Sequence, residues 1–505
     1  MNTFKQKALT AAVLSGLGLA AGTAQAVYLD HNGLGQVLVY PYYTVQSAGG
    51  NSFNTYMSVV NTTNRAKVVK VRFREGKTST EVLDFNLYLS PNDVWTAGIV
   101  PADATATSAA RLFTTDVSCT NPAIPGTGID FRNFLYLAGS DSTVTSTALE
   151  RTREGYFEVI EMGTLTGVAA ANVTHGVTGV PANCTAVRGP AVTLLTVESP
   201  TGGLMGGATL INVNTGADFT YNADALAEFR TAPFYTDIAN DAPNLSSADP
   251  TSVVVNTGVL DAAGVPAGPT VYRSDFAVVS TTPAGARAVA SVYMHTAILN
   301  EYVLDNATQS STDWVITQPV KRFFVDNVTA RQPYSNVLVA AGACENIDFT
   351  FFNREESGAA AAGVDFSPAP PTGSGATLCW ESTVLSIRNG ATHLPAATAS
   401  TVLGSLNLRN VDINTTYQNG WAALTFNGIG ASAQGMGNTA TSDDATFGAA
   451  AITVIPNVVS TFFGLPVTGF MVRTFRNGAL TCTTGTCSGN YGGLFLHAYR
   501  TRIAL

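Results

Sequence analysis

The sequence predicts an all-β protein built of antiparallel β-sandwich domains, immunoglobulin-like at the N-terminal end, with long loops and few short helices. Three observations carry this. Only 12% of the 505 residues are charged, while Ala, Thr, Val, Gly and Asn abound, a mixture that suits pleated sheets and turns better than helices. Several segments alternate apolar and polar residues with period two, the pattern of a sheet with one buried face. Turn-forming clusters such as Ser90-Pro91-Asn92-Asp93 separate those segments.

The first segment is not expected to belong to the fold. Lys5 and Lys7 are followed by an apolar stretch from Ala8 to Ala21 and by the small-residue exit Ala24-Gln25-Ala26, the arrangement of a secretory signal cleaved after Ala26. The stretch is too short and too poor in bulky residues for a permanent span, and Val27 follows the cut, so no lipid-bearing cysteine is expected. The sequence thus predicts a secreted chain, periplasmic or at the cell surface.

From residue 27 to about 100, strand follows strand. Val37 to Val45 is β-branched and aromatic, and Pro41 implies an edge or a bulge. Thr55 to Val60 forms a second strand, and Ala66 to Glu75 returns after the turn Asn61 to Asn64. There Val69, Val71 and Phe73 share one face, and Lys70, Arg72 and Arg74 the other; Leu83, Phe85, Leu87 and Leu89 repeat the pattern. Further strands are expected at 134–138, 156–162 and 192–197, and a hairpin at 208–221 turning on Asn214-Thr215-Gly216. Asn222 is placed to cap a short helix over 223–230. Residues 236–270 read as a linker or long loop between an N-terminal region, 27–235, and a C-terminal β-rich region, 271–505. In the latter, strand and helix periods both fit 288–304. Strands are expected at 313–325, 337–341, 347–352 and 491–503, with a flexible Ala/Pro/Gly loop at 358–377.

Six cysteines in an exported chain favour disulfides over metal sites. Of fifteen connectivities the sequential one closes the shortest loops: Cys119 with Cys184, Cys344 with Cys379, Cys482 with Cys487. Removal of residues 1–26 takes two lysines, so the mature chain carries 24 Lys and Arg against 35 Asp and Glu, a formal charge of −11. Such a surface repels phosphate backbones, which excludes nucleic acid as an expected partner. No later segment is long and apolar enough for a helical span.

Catalytic motifs fail on spacing. Gly76-Lys77-Thr78 ends like a phosphate loop, but Val71 stands where its first glycine belongs. Gly202-Gly203-Leu204-Met205-Gly206-Gly207 lacks the dinucleotide order, and Gly430-Ala431-Ser432-Ala433-Gln434 misses the last glycine of a nucleophile elbow. His31, His175, His295, His393 and His497 show no metal-ligand spacing. Glu150, Glu154, Glu158 and Glu161, interleaved with Arg151 and Arg153, are the strongest carboxylate group, since paired carboxylates hydrolyse glycosides. On a strand, however, Glu154 and Glu158 alternate outward, where arginine pairs would solvate the face. Glu301 and Asp305 near His295 read the same way. Asp237, Asn240, Asp241 and Asn244 offer loop oxygens suited to calcium, the one cofactor considered, though without the spacing of a calcium loop. The Asn-x-Ser/Thr triplets at Asn61, Asn172, Asn306 and Asn414 follow from composition. Tyr40, Tyr42, Tyr43, Tyr56, Tyr88 and Trp95 are expected on the outer face of the first sheet, where aromatics stack on sugars or anchor partners.

The runs Tyr40-Pro-Tyr-Tyr-Thr44, Phe85-Asn-Leu-Tyr-Leu-Ser-Pro-Asn-Asp-Val-Trp95 and Thr312-Asp-Trp-Val315 resemble a family of exported β-rich proteins from Gram-negative bacteria. The resemblance implies export and a β-rich fold, and brings no assigned activity or functional residue with it. The leading expectation is therefore a non-enzymatic structural or interaction protein of the cell exterior that contacts itself or other surface components, including by layer formation. A carbohydrate-binding protein comes second and a secreted glycoside hydrolase third. An outer-membrane barrel comes last, because Leu505 ends the chain without a terminal aromatic.

Overall fold

The computed structural model describes residues 26–137, 148–188, 196–249, 252–255, 270–273, 284–356, 358–360, 376–389, 398–413, 417–426, 435–436, 461–482, 485–501 and 503–504. The expected signal lies outside them apart from Ala26, which opens the first strand.

Four large sheets, nearly all antiparallel, make up the fold. Sheet A runs in the order Thr270–Arg273, Ser252–Val255, Ala26–Leu29, Asp224–Ala227, Val37–Thr44, Glu154–Leu165, Lys67–Glu75, Glu81–Leu89, Cys119–Asn121. Sheet B runs Asp218–Asn222, Leu204–Asn212, Phe53–Asn61, Val94–Pro101, Ala110–Phe113, Ile129–Asp130. Sheet C runs Leu408–Ile413, Ser382–Asn389, Ser311–Thr317, Thr468–Cys482, Gly485–Leu496, and sheet D runs Gly358–Ala360, Glu345–Asn353, Asn419–Thr425, Ala297–Val303, Ala498–Arg500.

The period-two segments form the predicted strands, and the hairpin pairs Ala208 with Tyr221 and Leu210 with Phe219. Pro41 marks a bulge rather than an edge. Val37–Thr44 is interior to sheet A, and its register on the Glu154–Leu165 strand slips between the Tyr43–Gly155 and Tyr40–Phe157 pairs.

Several local expectations are corrected, and one ambiguity is resolved. Residues 223–230 form the strand Asp224–Ala227 instead of a helix, because Leu226 pairs with Val37 and is fully buried; packing overrides the helix propensity of an Ala/Leu/Glu run. Phe134–Leu137 is a 3-10 turn, with Phe134 and Leu135 exposed. The strand expected at 313–325 ends at Thr317 and is followed by a 3-10 turn, Lys321–Phe323, and at 337–341 there is only an isolated Val339–Gly342 bridge. The ambiguous 288–304 stretch divides into a helix, Ala284–Val292, and the strand Ala297–Val303. That helix is made of small residues because it lies against backbone: a Cβ at Gly285 would sit 2.3 Å from the carbonyl oxygens of Ser246 and Ala248.

Two large apolar cores meet at sheet C. Val315, Val384, Phe470 and Val472 join the core built by sheets A and B; the alternate residues Trp314, Ile316, Leu385, Ile387 and Met471 join the core shared with sheet D and the helix. The central strands of sheet C, Ser382–Asn389 and Ser311–Thr317, are thus covered on both faces, while its edge strand Gly485–Leu496 stays exposed.

Disulfides Cys119–Cys184 and Cys344–Cys379 are present as expected. The expected Cys482–Cys487 bridge lies outside the described side chains. Among the described residues no helix is long and apolar enough to cross a membrane.

Candidate functional site

The aromatics expected at the surface are inside. Tyr40, Tyr42, Tyr43, Tyr88 and Trp95 are fully buried, while Tyr56 is 45% exposed. Tyr40 stacks on Phe157 with centroids 4.1 Å apart and donates to the Ser58 carbonyl at 2.6 Å. Tyr43 donates to the Thr152 carbonyl, Tyr88 to that of Val187, and Trp95 packs against Phe85. The expectation assumed a sheet wet on one side; both faces of sheet A are covered, and Trp95, on sheet B, joins the core between the two sheets.

The charged face shows how. Lys70, Arg72 and Arg74 lie under the 236–245 loop, whose carbonyls at Asp237, Asn240 and Pro243 accept from Lys70 and Arg72. Arg72 pairs with Glu81 at 2.6 Å, and Arg74 with Glu158 at 3.0 Å. Glu158 and Glu154 therefore do not point to solvent; both are buried. Glu154 accepts from Tyr42 Oη, Gln46 Nε2, Ser405 Oγ and the amides of Leu406 and Asn407, at 2.5–3.3 Å. Glu161 accepts from Lys67 Nζ at 2.6 Å and from the amides of Thr201 and Gly202; burial raises its pKa above the usual range. Donors of the protein itself thus occupy the carboxylates of Glu154, Glu158 and Glu161.

The other candidates disperse too. Of the loop considered for calcium, Asp241 lies 3.4 Å from Arg322 and 3.6 Å from Arg74, cations that oppose a metal there. Asp305 closes its own turn by accepting from the Ala307 amide. His295 bonds Thr501 and stacks on Tyr499, and burial lowers its pKa to about 3. Glu301 is exposed and reaches Arg473 instead, at 2.8 Å.

This last pair belongs to the clearest surface feature. On the outer side of sheet D, Glu301, Trp421 and Phe352 stand opposite one another on adjacent strands. Trp421 is 40% exposed and stacks on Phe352, centroids 4.7 Å apart and planes 17° from parallel. Across the seam to sheet C, the Arg473 guanidinium sits 4.4 Å over the exposed Phe495 ring. The result is an aromatic–carboxylate–guanidinium–aromatic stripe bridging two sheets. Sequence reasoning named Glu301 for its carboxylate alone. The stripe's aromatics lie 69 to 143 residues apart in the chain, a juxtaposition no local pattern records.

Comparison of the chain with protein-family models, with curated proteins and with solved structures gave no match.

Proposed function

We propose that the chain is an exported, non-enzymatic interaction protein of the cell exterior, and that the Phe352–Trp421–Glu301–Arg473–Phe495 stripe is its contact surface for carbohydrate. The stripe is the observation that carries this reading. Sugar rings present apolar faces that stack on flat aromatics, while their hydroxyls bond to carboxylate and guanidinium groups, and here both alternate along one exposed line. The two disulfides and the signal-like N-terminus support an oxidising destination.

Glycan-array binding by the mature protein tests it. Trp421→Ala, at an exposed position, should abolish binding while leaving the thermal transition in place; undiminished binding by that variant sinks the reading. A second reading, self-assembly into a layer, is favoured by the edge strand Gly485–Leu496, which carries the exposed Tyr491, Phe495 and Leu496. Ordered assemblies seen by electron microscopy and dispersed by Leu496→Lys would select it instead.

A further inference from the structure

A cleft of about 220 Å³ opens between the turn that joins Lys67–Glu75 to Glu81–Leu89 and the turn after Ser311–Thr317, with the Cys344–Cys379 bridge at its back. Its polar wall includes Lys77, Lys321, Arg322 and Glu381, and its apolar wall Val325 and Leu338.

The ionic groups around it do not balance. Arg74 is committed to Glu158, Glu81 to Arg72, and Asp241 to Arg322. Lys321 is buried; its ammonium donates to the carbonyls of Ala343 (2.7 Å) and Cys379 (3.2 Å) and lies 5.5 Å from the Tyr334 ring centroid, so these partners are neutral. Lys77 lies 5.3 Å over the Trp380 ring. Among the described residues neither lysine has a carboxylate within ion-pair distance. Arg322 holds Asp241 by a single long contact of 3.4 Å, and among the described residues its Nη1 has no hydrogen-bond partner. Against these cations stands Glu381, buried and accepting from Ser79 Oγ at 2.8 Å.

We propose that this cleft binds a small organic anion, its carboxylate held among Lys77, Lys321 and Arg322 beside Glu381, its apolar body against Val325 and Leu338. The volume admits a small acid and not a polymer, and the apolar wall favours an organic anion over a bare inorganic one. Glu381 faces Lys321 and Arg322 from one turn, Glu75 and Ser79 from the hairpin, Tyr156 from the central strand of sheet A and Tyr334 from the neighbouring loop. Burial is the main force on it and raises its pKa to about 7. An incoming anion favours its protonated form, so affinity should fall as pH rises through neutrality.

Isothermal titration of the mature protein with benzoate, at pH 6 and pH 8, tests this. Benzoate is ionised at both. Saturable binding is expected, tighter than for acetate and about tenfold weaker at pH 8, as the protonated fraction of Glu381 falls. Lys77→Gln should weaken binding at both pH values, and Glu381→Gln should make it the same at both. Trp421→Ala should change nothing, which separates this site from the aromatic stripe. Absence of saturable binding, or native-like binding and pH dependence in both Lys77→Gln and Glu381→Gln, overturns the proposal.

Discussion

Glu154 shows at the scale of one residue why charge and burial coincide in this chain. Its carboxylate takes five donors, two from the strand Val37–Thr44 and its continuation, and three from Ser405, Leu406 and Asn407, some 250 residues away. No cation lies within ion-pair distance among the described residues, so neutral donors alone stabilise the charge. Truncation leaves buried donors unsatisfied, which costs about 1–3 kcal/mol for a single orphaned group. Glu154→Ala should therefore lower stability by about 3 kcal/mol or more in urea unfolding of the mature protein. Glu150→Ala, at the partly exposed start of the preceding 3-10 turn, should cost under about 0.5 kcal/mol. Equal effects would contradict the assignment. The sequence picked out both glutamates as one cluster. It could not separate them, because the partners that distinguish Glu154 arrive from the far end of the chain.

Among the elements, the strand Glu154–Leu165 is the axis of sheet A, buried over all twelve residues between Val37–Thr44 and Lys67–Glu75. Gly155 lets those neighbours close. A Cβ there would lie 2.0 Å from the Arg74 carbonyl oxygen, a backbone atom that cannot step aside. Gly155→Ala should cost about 2 kcal/mol or more by overpacking, read as a fall in the urea midpoint at unchanged slope. Gly126→Ala, which meets nothing within 4 Å, is the control. Strands of this kind mark the limit of what local pattern conveys. Val69, Val71 and Phe73 were legible as a core face because alternation is local, and so were the pairings Cys119–Cys184 and Cys344–Cys379. The second covered face was not legible: Lys70, Arg72 and Arg74 carry the signature of a wet surface, and the loop that roofs them lies more than 160 residues onward. Tyr42 and Tyr43, two adjacent residues, are buried together because both sides of their strand are covered, Tyr42 against Glu154 and Tyr43 against Phe73 and Phe131.

Over the whole molecule, double burial gives the protein an unusual proton balance. His295 and His497 are held neutral by burial, with pKa values lowered to about 3 and about 4. Each contributes stability that is complete above the unfolded value of roughly 6.5 and lost as pH falls below it. Asp224, raised to about 6 with burial as the main cause, and Glu381 run the other way, losing their contribution as pH rises toward neutrality. The largest collective effect lies in alkali. Tyr40, Tyr42, Tyr43, Tyr88, Tyr156, Tyr221, Tyr293, Tyr302 and Tyr334 are buried, and desolvation raises every one of their pKa values above 10. The folded state keeps those protons where the unfolded state sheds them, so this contribution is whole below pH 10 and decays above it. At roughly 1.4 kcal/mol per group per pH unit, nine such groups would consume a net stability of about 5–15 kcal/mol within one or two units. Sheet C, shared by the two main cores, gives neither half an independent way to survive that loss. The mature protein should hold its far-ultraviolet dichroism to about pH 10 and then lose it in one steep step, with most tyrosinate absorbance at 295 nm appearing in that step. Gradual ionisation of these tyrosines with the dichroism intact would show that their rings reach water, and that the sheets are not covered on both faces.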